Sequence, residues 1–102
     1  MKRLRLLFSR DAAREVAEAL AWWSANRTAA PMALREDLRR GLELIRTQPE
    51  AGARAANARL PGVRRLNLGR VRYHLYYCIS EDGSAVEVLS LWHSSRGAGP
   101  SL

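Results

Sequence analysis

The apolar residues of this chain repeat with a helical period before Pro49 and with a strand period after Val63, and this change constrains the fold most. Two early segments each carry apolar residues at steps of three and four: Ala13, Val16, Leu20 and Trp23, then Leu34, Leu38, Leu42 and Ile45. Such a stripe is one face of an amphipathic helix. Two such helices joined by a few residues predict an antiparallel helical hairpin.

Residues that start and stop helices bound the two helical segments. Ser9 suits an N-cap, and the first helix is predicted to end near Asn26. Pro31 is predicted in the first turn of the second helix, where its missing N–H costs nothing. Pro49 and Gly52 then stop that helix, because neither residue continues one well.

Four segments read as strands. A short one at Leu4–Phe8 precedes the helices, and three follow them at about Val63–Leu68, Arg72–Ser80 and Ala85–His93. The order β-α-α-β-β-β predicts an α+β domain, with the helical hairpin packed on one face of a small, mostly antiparallel sheet. We expect one domain over residues 1–96 and a flexible tail over 97–102. Both faces of the third and fourth strands are partly apolar, so the pattern leaves open which face meets the helices.

The charge of the chain is strongly positive and unevenly placed. The formal net charge is +7, and six arginines lie between Ala51 and Ser80 without one acidic residue. The arginine guanidinium pairs bidentately with phosphate or carboxylate, which predicts an anionic partner. Codon usage in a G+C-rich genome would account for the larger share of the excess of arginine over lysine, but it would not explain the stretch without acids.

Several side chains after Val63 are candidates for function. Arg64, Arg65 and Arg72 suit binding to phosphate or to an acidic peptide, although a solvated sheet face is the competing interpretation. His93 ends the last strand, where it could transfer protons or only cap the sheet edge. The tyrosines Tyr73, Tyr76 and Tyr77 could stack on bases or pack the sheet. An exposed Trp22 would mark a contact with another protein.

Other classes of site find little support in the sequence. The single cysteine, Cys78, excludes an internal disulfide and lies where a buried, unreactive thiol is expected. The two histidines have no third ligand at suitable spacing, so neither a metal nor another cofactor is predicted. The apolar run near the N-terminus is too short for a signal peptide, and no segment is long enough to span a membrane. We therefore expect a cytoplasmic protein.

Several short motifs follow one another in a set order along the chain. The first strand runs into Phe8-Ser9-Arg10-Asp11-Ala12. A break at Gln48–Gly52 follows the helices, basic strands follow the break, and the last strand leads into His93-Ser94-Ser95-Arg96. Taken in order, these motifs resemble those of the RelE/ParE superfamily of bacterial type II toxins, most closely the ParE-like branch, with its F-S-x-x-A start and H-x-x-R ending.

The resemblance implies a toxin that a cognate antitoxin neutralises, with an antitoxin that is acidic in its toxin-binding segment and a hetero-oligomeric complex. ParE-type members inhibit DNA gyrase, whereas RelE-type members cut mRNA on the ribosome. The residues it implies for binding antitoxin or target are Arg64, Arg65, Arg70, Arg72, Tyr73, Trp92, His93 and Arg96.

The ribonuclease alternative rests on fewer residues. Catalysis would fall to Arg65, Arg72 and His93, because the chain has no lysine after Lys2 and no tyrosine after Tyr77. This incomplete set favours gyrase as the target. A small basic module that binds nucleic acid directly is a third and weaker hypothesis.

Overall fold

In a computed structural model, which describes residues 3–102, two helices pack on one face of a five-stranded sheet. Residues 1 and 2, which the sequence assigns to the same domain, lie outside the described range. The elements are β1 (Arg5–Phe8), α1 (Arg10–Asn26), α2 (Ala33–Thr47), β2 (Ala53–Arg54), β3 (Arg64–Leu68), β4 (Tyr73–Ile79) and β5 (Ala85–His93). The strand order is β1-β5-β4-β3-β2, with β1 parallel to β5 and the other pairs antiparallel. The predicted α+β fold class is confirmed.

The helices begin and end close to the predicted residues. The Ser9 hydroxyl accepts a hydrogen bond from the backbone N–H of Ala12 at 3.1 Å, which caps α1. Pro31 lies in the turn before α2 rather than in its first turn, so that prediction is wrong by two residues. Within residues 3–102, neither helix is both long and apolar enough to cross a membrane.

The hydrophobic core lies between the helices and one face of the sheet. The predicted stripe of α2 is buried through Leu34, Leu38 and Ile45. The stripe of α1 is rotated from the predicted one, because Ala12 is buried and Ala13 is exposed. Two of the three tyrosines of β4 and its leucine form the helix-side face and pack with the helices in one cluster: Tyr73, Leu75 and Tyr77.

A β-bulge in β5 changes which of its residues face the helices. Tyr76 pairs with Ser90 while Tyr77 pairs with Val88, so Leu89 is the extra residue. Val88 and Leu91 consequently both face the helices. The predicted alternation, which placed Val88 with Ser90 and Trp92, is therefore wrong beyond Val88.

The α1 side chain Glu15 holds the bulge in place. Its Oε1 accepts the hydroxyl of Ser90 at 2.8 Å and the backbone N–H of Leu91 at 3.1 Å. Ser90 is only 1% exposed, so these donors depend on a protein acceptor. The bulge and its acceptor set the register of the last residues of β5, including His93.

The segment between α2 and β3, predicted to be a loop, contains the short edge strand β2. Ala53 pairs with Arg65 and Arg54 with Arg64. Just before β2, the Tyr77 hydroxyl donates to the Pro49 carbonyl and accepts the Gly52 N–H, both at 2.8 Å. A Cβ at Gly52 would lie 2.8 Å from the Tyr77 hydroxyl, so this position requires glycine.

The C-terminal segment 97–102 lies along the loop that precedes β3. The backbone N–H of Arg59 donates to the Leu102 carbonyl at 2.7 Å, and Pro100 is buried. The expectation that this tail is flexible concerns its motion and stays a prediction.

Candidate binding cleft at the end of the sheet

Two arginines of the acid-free stretch, Arg64 and Arg70, form hydrogen bonds with other residues of the same chain. Arg70 donates to both carboxylate oxygens of Asp37, at 3.0 and 2.7 Å, which ties the β3–β4 turn to α2. This pairing, first of all the hydrogen bond from Arg70, lowers the pKa of Asp37. Arg64 donates to the Gly52 carbonyl at 2.7 Å and so holds the chain near β2.

Arg65 and Arg72 have free guanidinium groups within the described residues, but they occupy different places. Arg65 pairs across the sheet with Tyr76, on the face away from the helices. Arg72 lies in the turn before β4 with a φ of 62°. Its carbonyl accepts the N–H of Ser94 at 2.8 Å, so the backbones of Arg72 and β5 are joined beside His93.

The face of the sheet away from the helices carries aromatic and basic side chains, among them Arg65, His74, Tyr76 and Trp92. His74 pairs with Asn67 on one side and Trp92 on the other. Burial lowers the pKa of His74, and the positive charge of Arg65 lowers it further. Cys78 lies on the same face, and burial raises the pKa of its thiol, so this thiol is a poor nucleophile at neutral pH.

His93 faces the helices because of the bulge in β5. Its ring meets the buried ring of Tyr73 edge-on, with the ring centroids 4.9 Å apart. Since Arg65 and Tyr76 lie on the opposite face, the structure does not bring Arg65 to His93. The three residues predicted for catalysis therefore do not converge on one point.

An open cleft of about 410 Å³ lies beside His93 at the end of the sheet. We call it the His93 cleft, and its walls are Trp22, Arg27, Tyr73, His93, Ser95 and Arg96. A smaller hollow of about 170 Å³ shares Tyr73, His93 and Arg96 and continues along α1 past Glu18 and Glu15. Tyr73, His93 and Arg96 were predicted as binding residues, and the structure brings these three together.

The hydrogen bonds of His93 favour one tautomer of its ring. Its Nδ1 accepts the backbone N–H of Ser95 at 3.2 Å and lies 2.7 Å from the Ser95 hydroxyl. A ring nitrogen that accepts an N–H carries no proton of its own, so in the neutral ring the proton sits on Nε2. In that tautomer Nε2 is a hydrogen-bond donor, and Nδ1 is the nitrogen that can take up a proton.

Both arginines of the His93 cleft lie over aromatic rings. The Cζ of Arg96 is 3.9 Å from the ring centroid of Trp92, and that of Arg27 is 5.3 Å from Trp22. These distances are within the range of cation–π attraction. Neither guanidinium makes a hydrogen bond or ion pair within residues 3–102. Burial raises the pKa of Tyr73, and the positive charges of Arg96 and Arg27 partly offset this rise.

Comparison with protein families identifies the chain. A family model described as the ParE toxin of the type II toxin–antitoxin system parDE matches residues 6–97. The chain belongs to the ParE toxin family. No curated protein matches it at a significant level.

Solved structures share the fold of this ParE-family toxin. A chain of the chromosomal ParDE toxin–antitoxin system from P. aeruginosa superposes with a TM-score of 0.69 at 17% identity. The match covers 89% of this toxin and 96% of that chain. At this identity the likeness concerns the fold, which agrees with the resemblance that the sequence motifs predicted.

Sequence reasoning missed two residues of the His93 cleft. Arg27 follows α1 and carries no periodic signal, so nothing in the sequence places it beside β5. Ser95 gains its role through its hydrogen bonds to His93. Trp22 lies off the buried stripe of α1, as the periodicity indicates, and 47% of its surface is exposed.

Proposed function

We propose that this ParE-family toxin arrests growth by binding DNA gyrase, and that a cognate antitoxin with an acidic binding segment neutralises it. The observation that carries the proposal is the makeup of the His93 cleft, which brings two guanidinium groups without a partner in residues 3–102 together with an exposed tryptophan. Arg27, Arg96 and the Nε2–H of His93 bind anionic or polar groups. Binding requires only such complementarity, whereas cutting RNA requires a group that takes a proton.

The distribution of the predicted catalytic residues supports the same conclusion. Cleavage of a phosphodiester by its own 2′-hydroxyl needs a base near that hydroxyl and cations near the phosphate. Arg65 lies on the other sheet face from His93, and the Nδ1 of His93 is occupied by Ser95. We therefore favour a toxin that acts by binding.

The surface charge supports an acidic antitoxin. Arg65, Arg72 and Arg96 are free of ion pairs in the described part of the chain, and the net charge is +7. Free guanidinium groups attract carboxylates and speed the encounter with a negatively charged partner. We expect the complex to weaken as salt concentration rises, because exposed charges are screened.

A supercoiling assay with purified gyrase tests the proposal. The toxin should block supercoiling, and adding the antitoxin encoded beside it should restore supercoiling. Arg96→Gln should weaken inhibition, whereas Arg39→Gln, which changes an exposed arginine of α2 that has no partner within residues 3–102, should not.

Two results would contradict the proposal. One is normal supercoiling at saturating toxin. The other is cleavage of translated mRNA in the ribosomal A site that disappears in His93→Ala, since this would make the toxin a ribonuclease. The supercoiling assay detects the first result, and primer extension on translated mRNA detects the second.

A further inference from the structure

The two arginines of the His93 cleft are held in place without using their hydrogen-bond donors. A guanidinium that lies over an aromatic face keeps its N–H bonds in its own plane, where they can still pair with a planar anion. Arg96 lies over Trp92 in this way at 3.9 Å, and Arg27 lies near both Trp22 and Trp23, at 5.3 and 5.8 Å. This arrangement lowers the entropy that each side chain loses on binding a ligand.

His93 adds a third donor at the same place. Since Ser95 occupies Nδ1, the ring presents Nε2–H, and its orientation is fixed further by edge-on contact with Tyr73. The donors of Arg27, Arg96 and His93 therefore border one cleft of about 410 Å³. Three donor groups that border one cleft suit a single carboxylate or phosphate.

The apolar part of the cleft restricts the ligand further. Trp22 is 47% exposed although it is one of the largest apolar side chains in the protein. An exposed tryptophan beside free arginines is the composition of a protein-binding hot spot. The ligand that this cleft fits is therefore apolar on one side and anionic on the other.

The smaller hollow that continues from the His93 cleft argues against nucleic acid as the ligand. Beyond His93 and Tyr73 it is lined by Glu15 and Glu18 of α1. A strand with a phosphate at every nucleotide would meet these carboxylates, whereas a peptide with one acidic residue would not. Like charges in a shared groove raise the free energy of binding.

We propose that the His93 cleft binds a segment of a partner protein that carries an acidic side chain next to an aliphatic or aromatic one. The carboxylate pairs with Arg96 and Arg27 and accepts Nε2–H of His93, while the apolar side chain packs on Trp22. This inference rests on the proposed function, because it describes the kind of segment that a bound partner presents.

Nuclear magnetic resonance of the full-length, ¹⁵N-labelled toxin tests the proposal with defined probes. The first is a capped peptide with a single glutamate between leucines, and the second replaces that glutamate with glutamine. Inorganic phosphate and an eight-nucleotide poly-dT serve as the other anions. The acidic peptide should shift the side-chain resonances of Trp22, Arg27, Arg96 and His93, and the glutamine peptide should not.

Paired variants separate the site from general attraction to a basic protein. Arg96→Gln and Arg27→Gln should each lower the affinity of the toxin for the acidic peptide by about 10-fold to 100-fold. This is the loss that follows from removing a hydrogen bond to a charged group. Arg54→Gln should leave its affinity unchanged, because Arg54 is an exposed arginine of β2 outside the cleft. An equal loss in Arg54→Gln would overturn the assignment.

The other outcomes also decide the matter. If phosphate or the oligonucleotide shifts the same resonances as strongly as the acidic peptide, the ligand is not specifically a protein segment and the proposal is overturned. An absence of shifts with every probe would also overturn it. The gyrase assay keeps the two proposals apart. Inhibition of gyrase without peptide binding refutes only the cleft assignment, whereas peptide binding without inhibition refutes only the gyrase target.

Discussion

Arg72 adopts a backbone conformation that side chains other than glycine rarely take. Its φ of 62° lies in the left-handed region, where the Cβ crowds the following carbonyl at a cost of roughly 1 kcal/mol. Gly69, in the same turn, has ordinary backbone angles, so the strain falls on Arg72 alone. Strain kept at an exposed arginine points to a use for the side chain.

Replacement by glycine separates strain from function. Arg72→Gly should change the free energy of unfolding by between about 0 and 1 kcal/mol in the stabilising direction, since relief of strain is partly offset by the greater freedom of glycine when unfolded. Urea unfolding measures this change. Toxicity or gyrase inhibition should fall if the guanidinium is used.

Arg72→Ala provides the matched control, because it removes the guanidinium and keeps the strained backbone. It should lose the same activity as Arg72→Gly while being less stable. Full activity in both variants would show that Arg72 is not used. A marked loss of stability in Arg72→Gly would show that the side chain has a structural role instead.

Single residues were predicted from the sequence where a local rule governs them. The N-cap Ser9 and the exposed Trp22 follow from neighbours along the chain. The internal roles of Arg64 and Arg70 could not be predicted, because their partners lie 12 and 33 residues away. The sequence records that an arginine is present but not which distant acceptor takes its hydrogen bonds.

At the scale of elements, the bulge of β5 decides which residues form the candidate site. The residues around it, Val88 to Leu91, are mostly apolar and fit either sheet face, so the period-two pattern contained no sign of an extra residue. The two-residue strand β2 was missed for a related reason, since two residues cannot display a period. The helices and longer strands were predicted because their patterns extend over many residues.

Removal of the Glu15 carboxylate should destabilise the bulge. In Glu15→Ala the buried hydroxyl of Ser90 and the N–H of Leu91 lose their acceptor, at a cost of about 1–3 kcal/mol in the free energy of unfolding. Glu15→Gln retains a carbonyl oxygen and should recover much of that loss. Urea unfolding of the two variants gives the comparison.

Glu18→Ala is the control on the same helix. Glu18 is exposed, and its only ion pair within residues 3–102 is with Arg14 at 3.4 Å, so its loss should change stability by less than about 0.5 kcal/mol. If Glu15→Ala were no less stable than Glu18→Ala, Glu15 would not support the bulge. In that case the orientation of His93 would have to depend on the β4–β5 pairing alone.

At the scale of the whole molecule, several titrating groups favour the folded state only at higher pH. Hydrogen bonds from Ser84, and then from Ser80, lower the pKa of Asp82 to about 2. The hydrogen bond from Arg3 lowers the pKa of Glu43, as Arg70 does for Asp37. Burial and the nearby Arg65 lower that of His74. In each case the unfolded chain binds protons more readily than the folded chain.

The toxin should therefore lose stability as the pH falls, in two stages. His74 contributes first, as the pH drops below about 6.5, the ordinary value for histidine. The carboxylates contribute below about 4, where the unfolded chain takes up protons that the folded chain resists. A net charge of +7 that becomes more positive adds repulsion in the same direction.

In urea unfolding at pH 8, 6, 4 and 3, the urea concentration at the midpoint of unfolding should decrease with each step down in pH. His74→Gln should flatten the dependence of this midpoint on pH between pH 7 and 5, because it removes the histidine whose pKa is lowered by folding. Asp37→Asn should flatten the part below pH 4, although it starts from a lower stability at pH 7, where it loses the ionic bond to Arg70. A midpoint that stays constant from pH 8 to pH 3 would contradict this account of the folded charges.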